Sequence, residues 1–254
     1  MFGQLTLTKA VEQARSSVLK VTCRDSSGRP LLTGTGFFVN NTGVVVTAKH
    51  VITLPNGSVC PDVTLSLPLE HLSQPVSNIR LIESFADVHV AVSATDSVHD
   101  IAVLTSTENP LDKRHDHLTI GTGREGPIVA NVLPRSFATL DARPLEAGDG
   151  IFVCGYPLEF PVLITTSGNV ASSDALDDDI NNRALKDVYW ADIQINHGNS
   201  GGPVFSRAKG RVVGIVTAVQ LADAEFGDPF PPPAYGIEEP ASAASRAPVI
   251  HPIR

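Results

Sequence analysis

Short runs of β-branched and aromatic residues recur along the chain, separated by Gly, Pro, Asn and Asp. Runs of this length between turn residues are typical of β-strands, and their recurrence predicts a β-barrel or β-sandwich. In the run 188–195, Tyr189, Ala191, Ile193 and Ile195 share one face, as expected of a strand packed on one side. The thirteen predicted strands are 18–23, 36–39, 44–47, 63–67, 79–84, 88–93, 101–105, 129–133, 151–155, 162–168, 188–195, 203–205 and 211–219.

The predicted strands fall into two groups, which a polar stretch at 105–126 separates. This distribution predicts an all-β protein of two six-stranded antiparallel β-barrels with short terminal helices. The first barrel, with an N-terminal helical extension, is expected within residues 1–120 and the second within 121–240.

The two ends of the chain differ in pattern from the strands. Residues 8–15 have apolar positions at helical spacing, and Thr8 is the predicted cap of this short helix. Residues 241–254 are weakly patterned, and we expect a C-terminal extension or short helix there.

Charge and hydropathy exclude two classes of partner. The 254 residues carry a formal net charge of −8, and nucleic-acid binding needs a basic surface instead. No apolar run approaches the length of a membrane span, so we expect no membrane segment. The acidic run 177–179 lacks the alternating spacing and glycine of a calcium loop, which predicts a solvated loop and no metal. No cofactor is expected.

The cysteines are Cys23, Cys60 and Cys154, an odd number without CxxC spacing. This usage predicts reduced, partly buried thiols, with neither a disulfide framework nor a zinc site. The N-terminus shows no basic segment followed by an apolar one, so no secretory signal is expected. Together these features predict a cytoplasmic protein.

The strongest chemical signal is the string His197-Gly198-Asn199-Ser200-Gly201-Gly202-Pro203, which lies between two predicted strands. Glycines around Ser200 leave its hydroxyl unshielded and permit unusual backbone angles. The N–H groups of Gly198 and Ser200 can then point to one position, as an oxyanion hole requires. The string is therefore interpreted as a nucleophile loop. The alternative is a Gly-rich hairpin turn with a capping serine.

A serine hydroxyl needs a base, and the base needs an acid that orients it. His50 ends the apolar run 44–48, where a rigid sheet can present a side chain to a cleft. Asp100 precedes the apolar strand 101–105, and a carboxylate entering a buried strand must be paired. Asp87 and Asp96 are rival acids, although each lies at a predicted turn.

The string around Ser200 also fits the G-x-S-x-G nucleophile elbow of α/β-hydrolases. Those enzymes have the order Ser, acid, His, but only His251 follows Ser200 in this chain. The candidate residues His50, Asp100 and Ser200 occur in the order His, Asp, Ser instead. A serine esterase on an α/β fold is therefore the less favoured interpretation.

Several segments, in order, resemble the trypsin-like (chymotrypsin-fold) serine proteases, most closely the protease domain of the HtrA/Deg branch. They span about residues 17–240. The matching strings are Gly34-Thr35-Gly36-Phe37-Phe38-Val39, Val46-Thr47-Ala48-Lys49-His50-Val51, Asp96-Ser97-Val98-His99-Asp100-Ile101-Ala102-Val103-Leu104, Gly155-Tyr156-Pro157, Thr166-Ser167-Gly168, Ile195-Asn196-His197-Gly198-Asn199-Ser200-Gly201-Gly202-Pro203-Val204 and Val213-Gly214-Ile215.

The resemblance implies two perpendicular six-stranded barrels and a serine endopeptidase that acts on polypeptides through the triad His50, Asp100 and Ser200. It implies the Gly198 and Ser200 N–H groups as the oxyanion hole. By the same resemblance Gln194 lies at the floor of the specificity pocket. The remaining residues expected to contact substrate are His197, Ile215, Val216 and Thr217. An uncharged pocket of this kind favours small or medium apolar side chains.

The chain departs from the family in two places. Lys49 replaces a small or amide residue before the histidine, and the loop after Val219 is longer and Pro-rich. We also expect no PDZ domain after the protease domain. The resemblance places residues 155–186 among loops that order the oxyanion hole, which gives the hypothesis that a protein or peptide partner switches activity by ordering them. The alternative function is a catalytically silent trypsin-like domain that binds proteins. The sequence does not predict an oligomeric state.

Overall fold

We describe the fold from a computed structural model of the chain. The structure describes residues 6–72, 85–106, 109–112, 117–123, 126–132, 136–157, 162–180, 183–221 and 246–252.

One α-helix, one short 3-10 helix and fourteen strands make up the described fold, which confirms the prediction of an all-β double barrel. The elements are α1 (Leu7–Arg15), β1 (Val18–Arg24), β2 (Pro30–Phe38), β3 (Val45–Ala48), a 3-10 helix (Lys49–Ile52), β4 (Asp62–Leu72), β5 (Phe85–Asp96), β6 (Ile101–Thr105), β7 (His117–Gly123), β8 (Gly126–Val132), β9 (Gly150–Gly155), β10 (Ile164–Ile180), β11 (Arg183–Asp192), β12 (Pro203–Ser206), β13 (Val212–Leu221) and β14 (Arg246–Pro252).

The N-terminal half is an antiparallel sheet in the order β1-β2-β3-β6-β5-β4-β8-β7. The sheet curls back on itself, because β1 also pairs with β4. Alternating apolar residues of β1 point into the curl, where Leu19, Val21 and Cys23 are fully buried with Leu65 of β4. The intervening residues of β1 therefore lie on the outer face of the sheet.

The C-terminal half is a closed barrel in the order β10-β11-β14-β13-β12-β9. Its core contains Tyr189, Ala191, Ile193 and Ile195, which confirms the face predicted for this run. A third buried cluster joins α1 to both halves, and in it the rings of Phe152 and Phe205 stack with centroids 4.9 Å apart.

Three local predictions differ from the structure. The helix begins one residue earlier, and Thr6 rather than Thr8 caps it by accepting from Lys9 N at 3.4 Å. The polar stretch at 105–126 is not a simple linker, since β7 and β8 form a hairpin that extends the first sheet through β4. The predicted strand 79–84 lies outside the described residues.

Two more differences concern the second barrel. The acidic run 177–179 belongs to β10 and pairs with β11, because the chain forms one long hairpin where a loop was expected. The C-terminal tail is neither helix nor free extension over 246–252, since β14 pairs with both β11 and β13. Without that strand the barrel would have two open edges. Among the described residues, no helix is both long and apolar enough to span a bilayer.

Candidate active site

Strand register brings His50 and Asp100 together. In the antiparallel pair β3–β6, Ala48 lies opposite Ile101, so the residues after Ala48 meet those before Ile101. Lys49 N donates to the carbonyl of Asp100 at 2.8 Å, which continues the ladder past the strand ends. The short 3-10 helix then turns the His50 ring toward the carboxylate.

Asp100 binds His50 through both carboxylate oxygens. Oδ1 accepts from His50 N at 2.9 Å, and Oδ2 lies 2.6 Å from His50 Nδ1. The Asp100 side chain is 5% exposed and that of His50 is 30% exposed. A buried carboxylate on Nδ1 fixes the ring orientation and leaves Nε2 as the nitrogen available for proton exchange. Asp100 also adopts a positive φ of 52°, a conformation that aspartate tolerates better than most residues.

The two rival acids have other partners. Asp87 accepts from Arg24 Nη2 at 2.9 Å and from Ser66 Oγ at 2.6 Å. Asp96 lies 2.7 Å from His99 Nδ1, and this hydrogen bond lowers the pKa of Asp96. The structure therefore assigns neither carboxylate to His50.

The Ser200 segment, residues 197–203, lies between the two halves of the molecule. The Ser200 carbonyl accepts from Thr35 N of β2 at 2.8 Å, and Gly201 N donates to Val216 O of β13 at 2.7 Å. A Cβ placed on Gly201 would lie 2.6 Å from Ala48 N, two residues before His50. The segment that carries Ser200 is thus packed directly against the strand that leads to His50.

Thr35 is a connecting residue that the sequence analysis did not single out. Its buried hydroxyl donates to Gly198 O at 2.7 Å and accepts from Tyr156 N at 3.0 Å. The available signal was the pair of glycines around it. A Cβ on Gly34 would lie 2.8 Å from Ser200 O, so only glycine permits this approach of the two halves.

Gly198 has a φ of 93°, so a residue with a side chain would be strained there. Its carbonyl is bound by Thr35, and Asn199 beside it is 3% exposed. Residues 198–200 form the predicted oxyanion segment, and a hydrogen bond from Thr35 in the first half of the molecule therefore holds its backbone in place.

The predicted substrate-binding residues separate into two groups. Gln194 and His197 are exposed, as residues that contact a ligand must be. Ile215, Val216 and Thr217 are fully buried, and the first two belong to core clusters. Their side chains are packed into the fold, so only the backbone of this strand is left to border a substrate.

Lys49, one of the departures from the family pattern, has a defined partner. Its Nζ donates to Ser97 Oγ at 2.6 Å, which ties the His50 helix to the loop before Asp100. The loop after Val219, another departure, lies outside the described residues beyond Leu221.

Two of the three cysteines differ from the prediction that all thiols are reduced. Cys23 and Cys60 form a disulfide with a Cα–Cα distance of 5.7 Å, so the prediction of reduced thiols is wrong for this pair. Their spacing of 37 residues gave no sign of the pairing, which depends on the curl of the first sheet. Cys154 is a free, buried thiol, and burial raises its pKa to about 11.

No group of three or more His, Cys, Asp and Glu side chains suited to a metal ion occurs within the described part of the chain.

Known proteins are similar to this chain in sequence and in fold. Residues 34–215 match the family model described as "Trypsin-like peptidase domain". A curated protein of Bartonella henselae, "Probable periplasmic serine endoprotease DegP-like", is 26% identical over 191 residues. That match covers 75% of this chain but 29% of the relative, so this chain spans less than a third of its length.

Solved structures agree on the fold. A serine endoprotease from Yersinia pestis is 19% identical with a TM-score of 0.54, covering 85% of this chain and 58% of that one. A solved structure of an "HtrA-type protease AlgW with tripeptide" is 17% identical with a TM-score of 0.60, and the match covers 98% of this chain and 60% of that one. At these identities the likeness shows the fold alone. The family match covers more than half of the chain, and the resemblance drawn from the sequence is confirmed: the chain belongs to the trypsin-like peptidase domain family.

Proposed function

We propose that this chain is a serine endopeptidase with Ser200 as nucleophile, His50 as general base and Asp100 as the orienting acid. The observation that carries the proposal is the 2.6 Å contact between Asp100 Oδ2 and His50 Nδ1, made by a carboxylate that is 5% exposed. Pairing with the ring offsets much of the cost of burying this charge. Packing of the Ser200 segment against β3 supports the third member.

The reaction follows from these roles. Ser200 Oγ attacks the scissile carbonyl while His50 Nε2 accepts the hydroxyl proton, and Asp100 stabilises the imidazolium that forms. The N–H groups of Gly198 and Ser200 bind the tetrahedral oxyanion. His50 then protonates the leaving amine, and the acyl-enzyme is hydrolysed by water that His50 activates.

The proposed specificity is for small or medium apolar residues before the scissile bond. It is supported by Gln194, an exposed and uncharged residue where a charged one would select a basic side chain. The buried side chains of Ile215 and Val216 limit this wall of the site to backbone contacts. A peptide library with mass-spectrometric identification of the cleavage sites measures this preference.

We further propose that a protein or peptide partner adjusts activity through residues 155–186. Support comes from Tyr156, whose N–H donates to the same Thr35 hydroxyl that holds Gly198. A partner that shifts this segment would therefore act on the oxyanion segment through one shared side chain. Increased turnover together with slower amide exchange over 155–186 is the expected effect.

The cytoplasmic location was expected from three reduced thiols and from the lack of a secretory signal pattern at the N-terminus. Because Cys23 and Cys60 are paired, we propose an oxidising compartment instead, where structural disulfides persist. The name of the Bartonella henselae relative describes that protein as periplasmic, which supports this proposal. Thiol alkylation of the protein as isolated from its native cells, followed by non-reducing electrophoresis, tests it.

A fluorophosphonate probe tests the catalytic proposal. The folded protein is expected to be labelled and to cleave peptides, and Ser200→Ala is expected to abolish both. His50→Ala should abolish turnover while leaving the fold intact. Unchanged labelling of Ser200→Ala would contradict the assignment of the nucleophile. No labelling and no cleavage by the folded protein would favour a silent binding domain.

A further inference from the structure

An open pocket lies on the outer face of the first barrel, away from its core. Its volume is about 230 Å³. The outer face of β1 contributes to it because alternate residues of that strand fill the interior. The lining residues are Lys20, Thr22, Arg24, Pro30, Thr33, Ser66 and Asp87.

Most of the charge in this pocket is already paired. Arg24 donates to Asp87 Oδ2 at 2.9 Å, to Thr64 Oγ1 at 3.0 Å and to Gly28 O at 3.1 Å. The other oxygen of Asp87 accepts from Ser66 Oγ at 2.6 Å. Arg24 and Asp87 therefore neutralise each other, and their positions are fixed by neutral neighbours.

Lys20 is the exception. Among the described residues its ammonium group has no hydrogen-bond or ion-pair partner, although its side chain is partly buried at the pocket. The pocket thus keeps one uncompensated positive charge, next to the hydroxyls of Thr22 and Thr33, in a chain whose net charge is −8. A cation beside hydroxyl donors is suited to a carboxylate.

The pocket is connected to the nucleophile by strand register. Lys20 lies opposite Thr35, and Thr22 lies opposite Thr33. Thr35 N is the donor to the Ser200 carbonyl, so β2 passes beside Ser200 and continues to the pocket. Thr33 is two residues beyond Thr35, which is about 7 Å along an extended strand.

The Ser200 segment has one strand on each side, β13 and β2, and these strands indicate how a substrate would lie across the site. β13 lies on one side through Val216, and β2 lies on the other through Thr35. If the acyl half of a substrate follows β13, where the proposed function places it, the leaving half must cross β2. The second or third residue after the scissile bond would then reach Lys20, since each extended residue spans about 3.3 Å.

We propose that this pocket, through Lys20, binds a carboxylate of the substrate on the leaving side of the cleaved bond. The favoured substrates carry Asp or Glu two or three residues after the bond, or end there with a free C-terminus. This inference rests on the proposed endopeptidase function and specifies its substrate class.

The experiment compares peptides that share an acyl half chosen by library profiling. The leaving halves contain Glu with an amidated end, Gln with an amidated end, or Gln with a free C-terminal carboxylate at the same position. We expect kcat/KM to be about threefold to fivefold higher for a carboxylate peptide than for the neutral one, as a partly exposed ion pair allows. The Glu peptide and the free-end peptide distinguish the two sources of the carboxylate.

Variants of Lys20 identify the group responsible. Lys20→Gln should remove the preference for the carboxylate peptides over the neutral one, and Lys20→Glu should reverse it toward a Lys-containing peptide. Lys9→Glu is the matched control for Lys20→Glu, because it makes the same change in net charge at an exposed position on α1. Equal rates for all three peptides, or a preference that persists in Lys20→Gln, would overturn the proposal.

Binding to Ser200→Ala separates this inference from the catalytic one. Fluorescence anisotropy with the same peptides, labelled, requires no turnover. Tighter binding of a carboxylate peptide that Lys20→Gln abolishes would support the pocket even if the chain cleaves nothing. Cleavage of all peptides at equal rates would retain the endopeptidase and reject the pocket.

Discussion

The Thr35 hydroxyl donates a 2.7 Å hydrogen bond to the carbonyl of Gly198, so a residue of the first half holds the proposed oxyanion segment of the second. The same oxygen accepts from Tyr156 N, which connects a third segment to the pair. Thr35 is fully buried, so loss of its hydroxyl would leave these groups without a replacement from solvent.

Thr35→Val should lower activity as a positioning defect. Valine has a similar shape but can neither donate a hydrogen bond to Gly198 O nor accept one from Tyr156 N. A buried polar group left without a partner costs about 1–3 kcal/mol. We expect kcat to fall about tenfold with a smaller change in KM, because the proposed oxyanion contact strengthens in the transition state. Thr35→Ser retains the hydroxyl and should restore most of kcat. If both variants lose stability and activity in parallel, the role of Thr35 is only structural.

Asp100→Asn should reduce kcat about 10⁴-fold with little loss of folded structure. An amide in place of the carboxylate can hold the ring in the wrong tautomer and cannot stabilise the imidazolium. Steady-state peptide hydrolysis and circular dichroism together measure this. Asp96→Asn is the control, because Asp96 pairs with His99 in the preceding loop and should tolerate the change with most activity retained.

Removal of the Cys23–Cys60 disulfide should destabilise the first barrel. The bond closes a segment with a sequence separation of 37, and bonds of this kind contribute about 2–4 kcal/mol by restricting the unfolded chain. Cys23→Ala with Cys60→Ala should therefore lower the free energy of unfolding by that amount in urea titrations. An unchanged unfolding midpoint with and without reductant would show that the bond adds no stability.

Cys154 should resist thiol reagents in the folded protein. Its pKa is raised to about 11 by burial, so at pH 8 only about one thiol in a thousand is ionised, and the thiolate is the reactive form. Mass spectrometry after iodoacetamide treatment should show no modification of the native protein. One modified cysteine is expected after unfolding without reductant, and three after unfolding with it. Rapid modification of the native protein would mean that this site is exposed.

Gly201→Ala should disrupt the junction between the two halves. Gly201 has a φ of 79°, and an added Cβ would lie within 2.6 Å of Ala48 N. Gly28 has a φ of 83° with open space around it, so Gly28→Ala isolates the backbone strain from the steric overlap. We expect Gly28→Ala to cost about 1 kcal/mol and Gly201→Ala clearly more, measured by thermal unfolding. Equal effects would indicate that the junction can adjust.

Local sequence patterns predicted much of the fold. The alternation that placed Tyr189 and Ile195 on one face is preserved in the barrel core, because a strand with one buried side leaves a period-2 pattern. The tail around Ile250 was not predicted as a strand, since β14 is stabilised by pairing with β11 and β13 rather than by its own pattern. Strand β7 was missed because it lies in the polar stretch that was interpreted as a linker, whereas β8 overlaps the predicted strand 129–133.

The candidate site shows the same division. Glycines around Ser200 and an aspartate before a buried strand are chemical features that a sequence displays, so His50, Asp100 and Ser200 could all be proposed from it. The Thr35 contacts and the Lys20 pocket could not be predicted from the sequence, because each depends on residues that strand register brings together.

The sequence by itself determined the all-β class and most of the strands, because these are set by periodicity and local backbone chemistry, and it supplied the glycine-rich segment around Ser200 that we propose as the nucleophile loop. Only the tertiary structure decided that Cys23 meets Cys60, that Asp100 rather than Asp87 or Asp96 binds His50, and that Lys20 lacks a partner in the described structure. The physical reason is that a contact between distant residues depends on the register and curl of the sheets, which no single segment specifies.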